Sequence, residues 1–233
     1  MQAVIMAGGR GTRLMPLTKD TPKPMIKLLD KPVMLYAVEL LKKHGVTDIA
    51  ATLGYLPEQI ENYFGNGEQF GVKMTYFTEK TPLGTAGGVK NCASFLREDT
   101  FVVLSADGYS EADLSAAIRY HKAKRSVFTV VAKKVDDPVG LGVLERDENG
   151  VIRSFAEKPV GVRSALVNTG IYVVDRRVLD LIPDGPYDFG KQLLPRLVGV
   201  ARAYRDDAYW SDVGTLESYY ETNKKLAQDR VFA

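Results

Sequence analysis

MQAVIMAGGRGTRLMPLTKDTPKPM, residues 1–25, is the stretch from which the fold is read. Gln2 to Met6 is a short apolar run with the character of a sheet strand, and it leads straight into a loop where Gly8, Gly9 and Gly11 remove the side chains. Bare backbone N–H groups in such a loop form a concave anion site. Arg10, Arg13, Lys19 and Lys23 add positive charge that a small apolar ligand would not need, so phosphate is the expected guest. The plainer alternative, a strand-to-helix turn with solvated basic residues, is disfavoured because glycines and cations fall together after one strand. Two familiar phosphate motifs fail on spacing. There is no Gly-x-x-x-x-Gly-Lys-Ser/Thr in the segment, and reading Gly9-x-Gly11 as a dinucleotide fingerprint puts Leu14 where the third glycine belongs.

Outward from this loop, the bulk properties narrow the class. With 233 residues, 45% of them hydrophobic, the chain can bury a substantial core, and its length suits one domain. A net charge of +2 from 31 basic and 29 acidic residues provides no broad basic field, which argues against nucleic acid as a partner. The single cysteine, Cys92, cannot form an intramolecular disulfide and is expected to be buried, and the chain opens on a strand instead of a cleavable leader. No apolar run reaches the length of about 18 to 20 residues that spans a bilayer. The cytoplasm is the expected compartment, with no membrane partner.

Hydrophobic spacing predicts a helix over Pro32–His44 ended by Gly45, a strand over Asp48–Leu53, a helix over Pro57–Phe64 and a strand over Val72–Phe77. Such alternation implies right-handed crossovers and a mostly parallel sheet covered on both faces. Thr81–Gly88 (TPLGTAGG) reads as a second glycine-rich loop before a helix to Leu96. Thr100–Ser105 is a continuous apolar strand that delivers Asp107 at its carboxyl end, where an acid can also serve merely as a helix cap. A helix over Glu111–Lys124, a strand over Ser126–Val135 and a hairpin turning at Asp147–Gly150 follow. Asp188–Leu197 reads as helix, Ala208–Val213 as a strand carrying Asp212, and Leu216–Ala227 as a last helix. His44 and His121 stand alone on helices without ligand spacing and are taken as structural.

AGGRGTRLMPLT followed by PKPM resembles the N-terminal signature of the sugar-1-phosphate nucleotidylyltransferases, with Gly8, Gly9, Gly11, Thr12, Arg13, Pro22, Lys23 and Pro24 at matching positions. PLGTAG, VNTGIYVVD and YWSDVGTLESYY resemble later segments of the same family, so the likeness covers nearly the whole chain. It implies an α/β fold, a Rossmann-like doubly wound mixed sheet of the nucleotide-diphospho-sugar transferase (GT-A-like) type. One domain is expected, with a nucleotide-binding half over about 1–110 and a sugar-phosphate-binding half over about 111–233. The resemblance places nucleotide contacts at Ala7, Gly8, Gly9, Gly11, Thr12, Arg13, Pro82, Gly84 and Thr85. Sugar-phosphate contacts fall at Gly142, Glu157, Lys158, Asn168 and Gly170, and the metal ligands are Asp107 and Asp212, holding Mg2+. Ala106 departs from the family's usual glycine before the first aspartate.

The activity implied is the joining of a nucleoside triphosphate to a sugar 1-phosphate with release of pyrophosphate. Arg13 would stabilise the leaving pyrophosphate, Lys23 the α-phosphate region, and Lys158 the incoming sugar phosphate. Arg13 and Lys23, placed in an exposed loop, are expected to matter far more for turnover than for stability. PLGTAGGVK most resembles the mannose-1-phosphate guanylyltransferase branch, which implies GTP and mannose 1-phosphate; UTP, dTTP or ATP with glucose 1-phosphate or a related sugar is the alternative pairing. A non-catalytic nucleotide-sugar sensor should lack Arg13, Lys23, Asp107 or Asp212, and all four are present. A Rossmann oxidoreductase would need the missing third glycine. A homodimer is left open.

Overall fold

In a computed structural model, which describes residues 1–232, the chain begins with β1 (Gln2–Ala7), forms a small ribbon from β2 (Lys27–Leu28) and β3 (Lys31–Pro32), and enters α1 (Val33–Lys43). It then alternates through β4 (Asp48–Leu53), α2 (Pro57–Phe64), β5 (Lys73–Thr78), α3 (Gly84–Asn91) and β6 (Thr100–Ser105). The later part contains β7 (Gly108–Ser110), α4 (Leu114–Ala123), β8 (Phe128–Val135), β9 (Gly142–Arg146), β10 (Ile152–Glu157) and β11 (Ala165–Asp175). A π-helical turn at Phe189–Leu193 leads into α5 (Leu194–Arg196), and β12 (Arg202–Arg205), β13 (Trp210–Asp212) and α6 (Leu216–Phe232) complete the order.

Strands β6, β1, β4 and β5 lie side by side and parallel, with Val4 of β1 opposite Ala50 and Val103. Their apolar runs are continuous because both faces are buried. Ala3, Ile5, Val102 and Leu104 point into one core with α1, α2 and α4, whereas Val4, Phe101 and Val103 point into a second with α3 and the Phe189–Leu197 region. Beyond β6 the sheet turns antiparallel. Strand β11 pairs with β6, β8 and β9, and a register shift between Asn168 and Ile171 breaks its ladder. The result is a mixed doubly wound α/β sheet that runs continuously from the first part of the chain to the second.

Helix ends follow local chemistry. Gly45 takes φ +75° after α1, and the Gly45 and Val46 amides close onto the carbonyls of Lys42 and Leu41 at 2.9 Å each. Asp113 caps α4 by accepting from the Ala116 amide at 2.9 Å. No helix among the described residues is long and apolar enough to cross a membrane. Cys92 is buried, as its helical position suggests, and burial pushes its thiol pKa up.

Two elements differ from the sequence reading. In TPLGTAGG only the first residues form a loop, because α3 starts at Gly84 and its glycines are used for helix packing. The strand carrying Asp212 is not a member of the main sheet. β13 pairs antiparallel with β7, Asp212 opposite Gly108, so this short ribbon, and not a neighbouring parallel strand, carries Asp212 to Asp107.

His121 is structural as expected. Its Nδ1 lies 2.9 Å from the Thr129 hydroxyl, and burial pulls its pKa down to about 4, against partial compensation by the Asp175 charge. The unfolded chain takes up this proton near pH 6.5 while the folded chain resists it to about 4. The associated stability is therefore complete above pH 6.5 and is lost as the pH falls towards 4, by about 3 kcal/mol in all. Urea midpoints should accordingly fall more steeply over that window in the parent than in His121→Gln, which keeps a polar partner for Thr129 but does not titrate. Parallel pH profiles would remove His121 from the account.

Candidate active site

Each parallel strand delivers one residue of interest just past its carboxyl end: Gly8 after β1, Gly54 after β4, Glu79 after β5 and Asp107 after β6. Strand order reverses around β1, since β4 lies on one side and β6 on the other, and crevices open at such switch points. The loops are drawn tightly together. A Cβ added to Gly54 would meet the Gly8 carbonyl oxygen at 2.6 Å, so only glycine fits there. Gly11, at φ +65°, has no room for a side chain either, because a Cβ would lie 2.7 Å from the Lys23 Cβ. Gly9, in contrast, faces open space, leaving its backbone accessible to a ligand.

Lys23 stands at the centre of a charge cluster. Its ammonium donates to Asp107 Oδ2 at 2.7 Å and lies 3.6 Å from Asp212 Oδ1, while Arg13 Nη2 is 3.9 Å from Asp212 Oδ2. The Lys23 residue is only 6% exposed, which overturns the expectation of an exposed loop lysine. Its aliphatic stem lies under the close passage of Gly11. Desolvation raises the Asp107 pKa, but the Lys23 ammonium and the Ser105 hydroxyl more than offset it and hold the carboxyl below its ordinary value. Asp212 moves the other way: burial and the adjacent Asp107 charge push it up, and Lys23 and Arg13 only partly restrain it. Opposite shifts are expected when two carboxylates share one cation.

Two carboxylates facing one point suit a hard divalent cation that retains water. No group of three or more His, Cys, Asp or Glu able to hold a metal occurs among the described residues, so water or substrate oxygens would have to complete the shell. The donor set fits a hard divalent cation on those terms.

The expected sugar-phosphate residues gather in the same place. Arg13, Asp107, Gly142, Glu157, Lys158, Asn168, Gly170 and Asp212 line one cleft of about 180 Å³. The break in β11 aims Asn168 into it, with the Asn168 side chain fastened at both ends: Nδ2 donates to the Tyr172 hydroxyl at 2.8 Å and Oδ1 accepts from the Gly170 amide at 3.0 Å. Lys158 adopts φ +52°, unusual for a residue with a Cβ, and its amide donates to the Leu141 carbonyl at 3.1 Å. The constraint directs a largely exposed amine towards the opening, 3.9 Å from Glu157 Oε1.

Of the expected nucleotide contacts, Gly8 and Pro82 line a second cavity of about 290 Å³ together with Arg10, Gly54, Tyr55, Glu79 and Lys80. Arg10 lies 5.1 Å from the centre of the Tyr55 ring. Ala7, Gly9, Gly11, Thr12, Gly84 and Thr85 line neither cavity. The Ala7 amide faces the Thr52 hydroxyl at 3.4 Å, and the Thr85 amide and hydroxyl both donate to Asp188 at 3.2 Å. Sequence reasoning missed Glu79 and Asp188. Glu79 had a signal, an acid directly after an apolar strand; Asp188 reaches Thr85 only through tertiary folding.

A parallel sheet whose strand ends converge glycine loops, paired carboxylates and cations on one crevice defines a protein built for phosphate-bearing ligands. The family model described as Nucleotidyl transferase matches residues 2–229, and the chain belongs to that family. It is 40% identical to the UTP--glucose-1-phosphate uridylyltransferase of Synechocystis sp., an alignment covering 95% of this chain and 62% of that protein. It is 34% identical to the mannose-1-phosphate guanylyltransferase of Mycobacterium tuberculosis, covering 98% of this chain and 65% of the relative. The chain thus spans less than two thirds of the length of these curated relatives. Among solved structures, HddC from Yersinia pseudotuberculosis complexed with GMP-PN superposes with a TM-score of 0.84 at 31% identity, over 97% of this chain and 99% of that one.

Proposed function

We propose that this chain transfers a nucleotidyl group from a nucleoside triphosphate to a sugar 1-phosphate, with GTP and mannose 1-phosphate as the pair. The observation carrying the reaction is that Arg13, Asp107 and Asp212 line one cleft with Glu157, Lys158 and Asn168, while the Lys23 ammonium is paired with both aspartates. A sugar phosphate has a second pKa near 6, by analogy with phosphorylated side chains, so it is mostly dianionic at neutral pH and needs no general base. Its oxygen attacks the α-phosphorus; the new P–O bond forms as the bond to pyrophosphate breaks, and the leaving group carries away the electron pair. Positioning and charge neutralisation supply the catalysis. Lys158 holds the acceptor phosphate, Lys23 faces the charge developing at the α-phosphate, and Arg13 receives the pyrophosphate. Asp107 and Asp212 would hold Mg2+, which when bound supplies Lewis-acid neutralisation of the phosphate oxygens.

Glu79 supports the guanine assignment. One carboxylate oxygen accepts from the Leu83 amide at 2.9 Å, and the side chain borders the cavity beside Gly8. An ionised carboxylate only accepts hydrogen bonds. Guanine presents adjacent N1–H and N2–H2 donors to it, whereas uracil and thymine present one N–H between two repelling carbonyls. A second reading, UTP with glucose 1-phosphate, is favoured by the likeness to the Synechocystis uridylyltransferase at 40% identity. Pyrophosphate release from a matrix of nucleoside triphosphates and sugar 1-phosphates decides between them. In the same assay Glu79→Gln should move the GTP-to-UTP ratio of kcat/KM towards UTP by about tenfold or more, the scale of one lost bidentate base contact. A parent enzyme that prefers UTP would overturn the GTP assignment, and no release with any pair would favour the sensor.

A further inference from the structure

The first turn of α3 should leave several amide N–H groups free, and a phosphate would be their obvious partner. Here they are taken by the chain itself. Tyr187 accepts from the Ala86 and Gly87 amides at 2.9 Å each through its carbonyl and donates its own amide to Leu83 O at 2.8 Å. Asp188 Oδ1 accepts from the Thr85 amide and hydroxyl, and the Phe189 amide donates back to that hydroxyl at 2.8 Å. The same segment reaches the other half of the site. A Cβ added to Gly190 would clash with the Glu157 carboxylate at Oε2, so one of them would have to shift. The Phe189 ring lies 4.9 Å from that of Tyr172, whose hydroxyl accepts from Asn168.

We propose that Tyr187–Gly190 is a positioning strap that sets both substrate half-sites, Asp188 holding the nucleotide-side segment through Thr85 and Gly190 leaving the space that Glu157 needs to face the sugar. Neither residue has to touch a substrate. The inference rests on the nucleotidyl-transfer reading for the identity of its ligands, while the contacts themselves stand apart from it. Gly190 lies outside the left-handed φ region, so alanine there meets no backbone penalty and displaces only the far end of the Glu157 side chain.

The test uses the full chain with Gly190→Ala, Asp188→Ala and Asp188→Asn, titrated calorimetrically with mannose 1-phosphate and with GTP, beside amide hydrogen exchange of the first turn of α3. Gly190→Ala should weaken mannose 1-phosphate on the order of tenfold, the cost of misplacing a binding group, and leave GTP within about twofold. In a Glu157→Ala background the same change should add nothing, because its effect passes through Glu157. Asp188→Ala should speed exchange at Thr85 and weaken GTP, and Asp188→Asn, which keeps an acceptor oxygen, should restore both. A Gly190→Ala protein that binds both ligands like the parent, or weakens both equally, overturns the strap. Unchanged exchange in Asp188→Ala does the same. If the parent binds neither ligand, the proposed function falls, and the exchange measurement still decides the strap.

Discussion

Replacing Lys23 with methionine should lower pyrophosphate release by about a hundredfold or more, the scale on which a lost transition-state donor is felt. Methionine fills most of the space of the lysine stem but cannot neutralise charge developing at the α-phosphate. Unlike a loop lysine in water, Lys23 is also tied into the fold, because its ammonium is the cation between Asp107 and Asp212. Removing one partner from a buried ion pair leaves the other uncompensated. Here the carboxylates are partly open, 38% for Asp107 and 26% for Asp212, so solvent screens the loss. A stability cost of roughly 1–3 kcal/mol is expected from the balance of these effects. Arg13→Ala should match the loss of turnover without the loss of stability, since the guanidinium is 57% exposed and 3.9 Å from Asp212. Steady-state rates with urea midpoints check both variants. Parental turnover in Lys23→Met would take the lysine out of the chemistry.

Asparagine at Asp107 or Asp212 should lower turnover by a similar factor or raise the magnesium requirement sharply, since each exchange removes a charged oxygen donor while keeping size. The two substitutions should part company in stability. Asp107 is the nearer partner of Lys23 and accepts from Ser105, so Asp107→Asn gives up an ion pair with a buried lysine. Asp212 is held against the Asp107 charge, and Asp212→Asn relieves that repulsion, leaving stability unchanged or raised. Magnesium titrations of turnover, with urea midpoints alongside, provide the comparison. Parental behaviour in both variants would reduce the aspartates to caps, and a magnesium–nucleotide complex with either carboxylate beyond about 5 Å from the ion would sink the metal assignment.

Local patterns carried much of this far without a structure. The run Gln2–Met6 followed by Gly8-Gly9-x-Gly11 reads as a strand entering a tight backbone-lined loop, and the apolar Asp48–Leu53 and Thr100–Ser105 runs read as strands buried on both faces, because continuous hydrophobicity over so short a length leaves no solvent face. Those signals depend on neighbours in sequence. The burial of Lys23 does not: it arises because Gly11 passes over the lysine stem and because β7 pairs with β13, bringing Asp212 from the far end of the chain. The glycines of TPLGTAGG look the same in sequence whether they face a phosphate or a packed helix, and only the arrival of Tyr187–Gly190 decides how the first turn of α3 satisfies its amides. Most strand and helix identity was set by the sequence because side-chain periodicity is a local property, the glycine-rich start of α3 being the exception. Which charges meet, and which amides remain for a ligand, was decided by the tertiary structure, because a hydrogen bond or ion pair depends on distance in space and not along the chain.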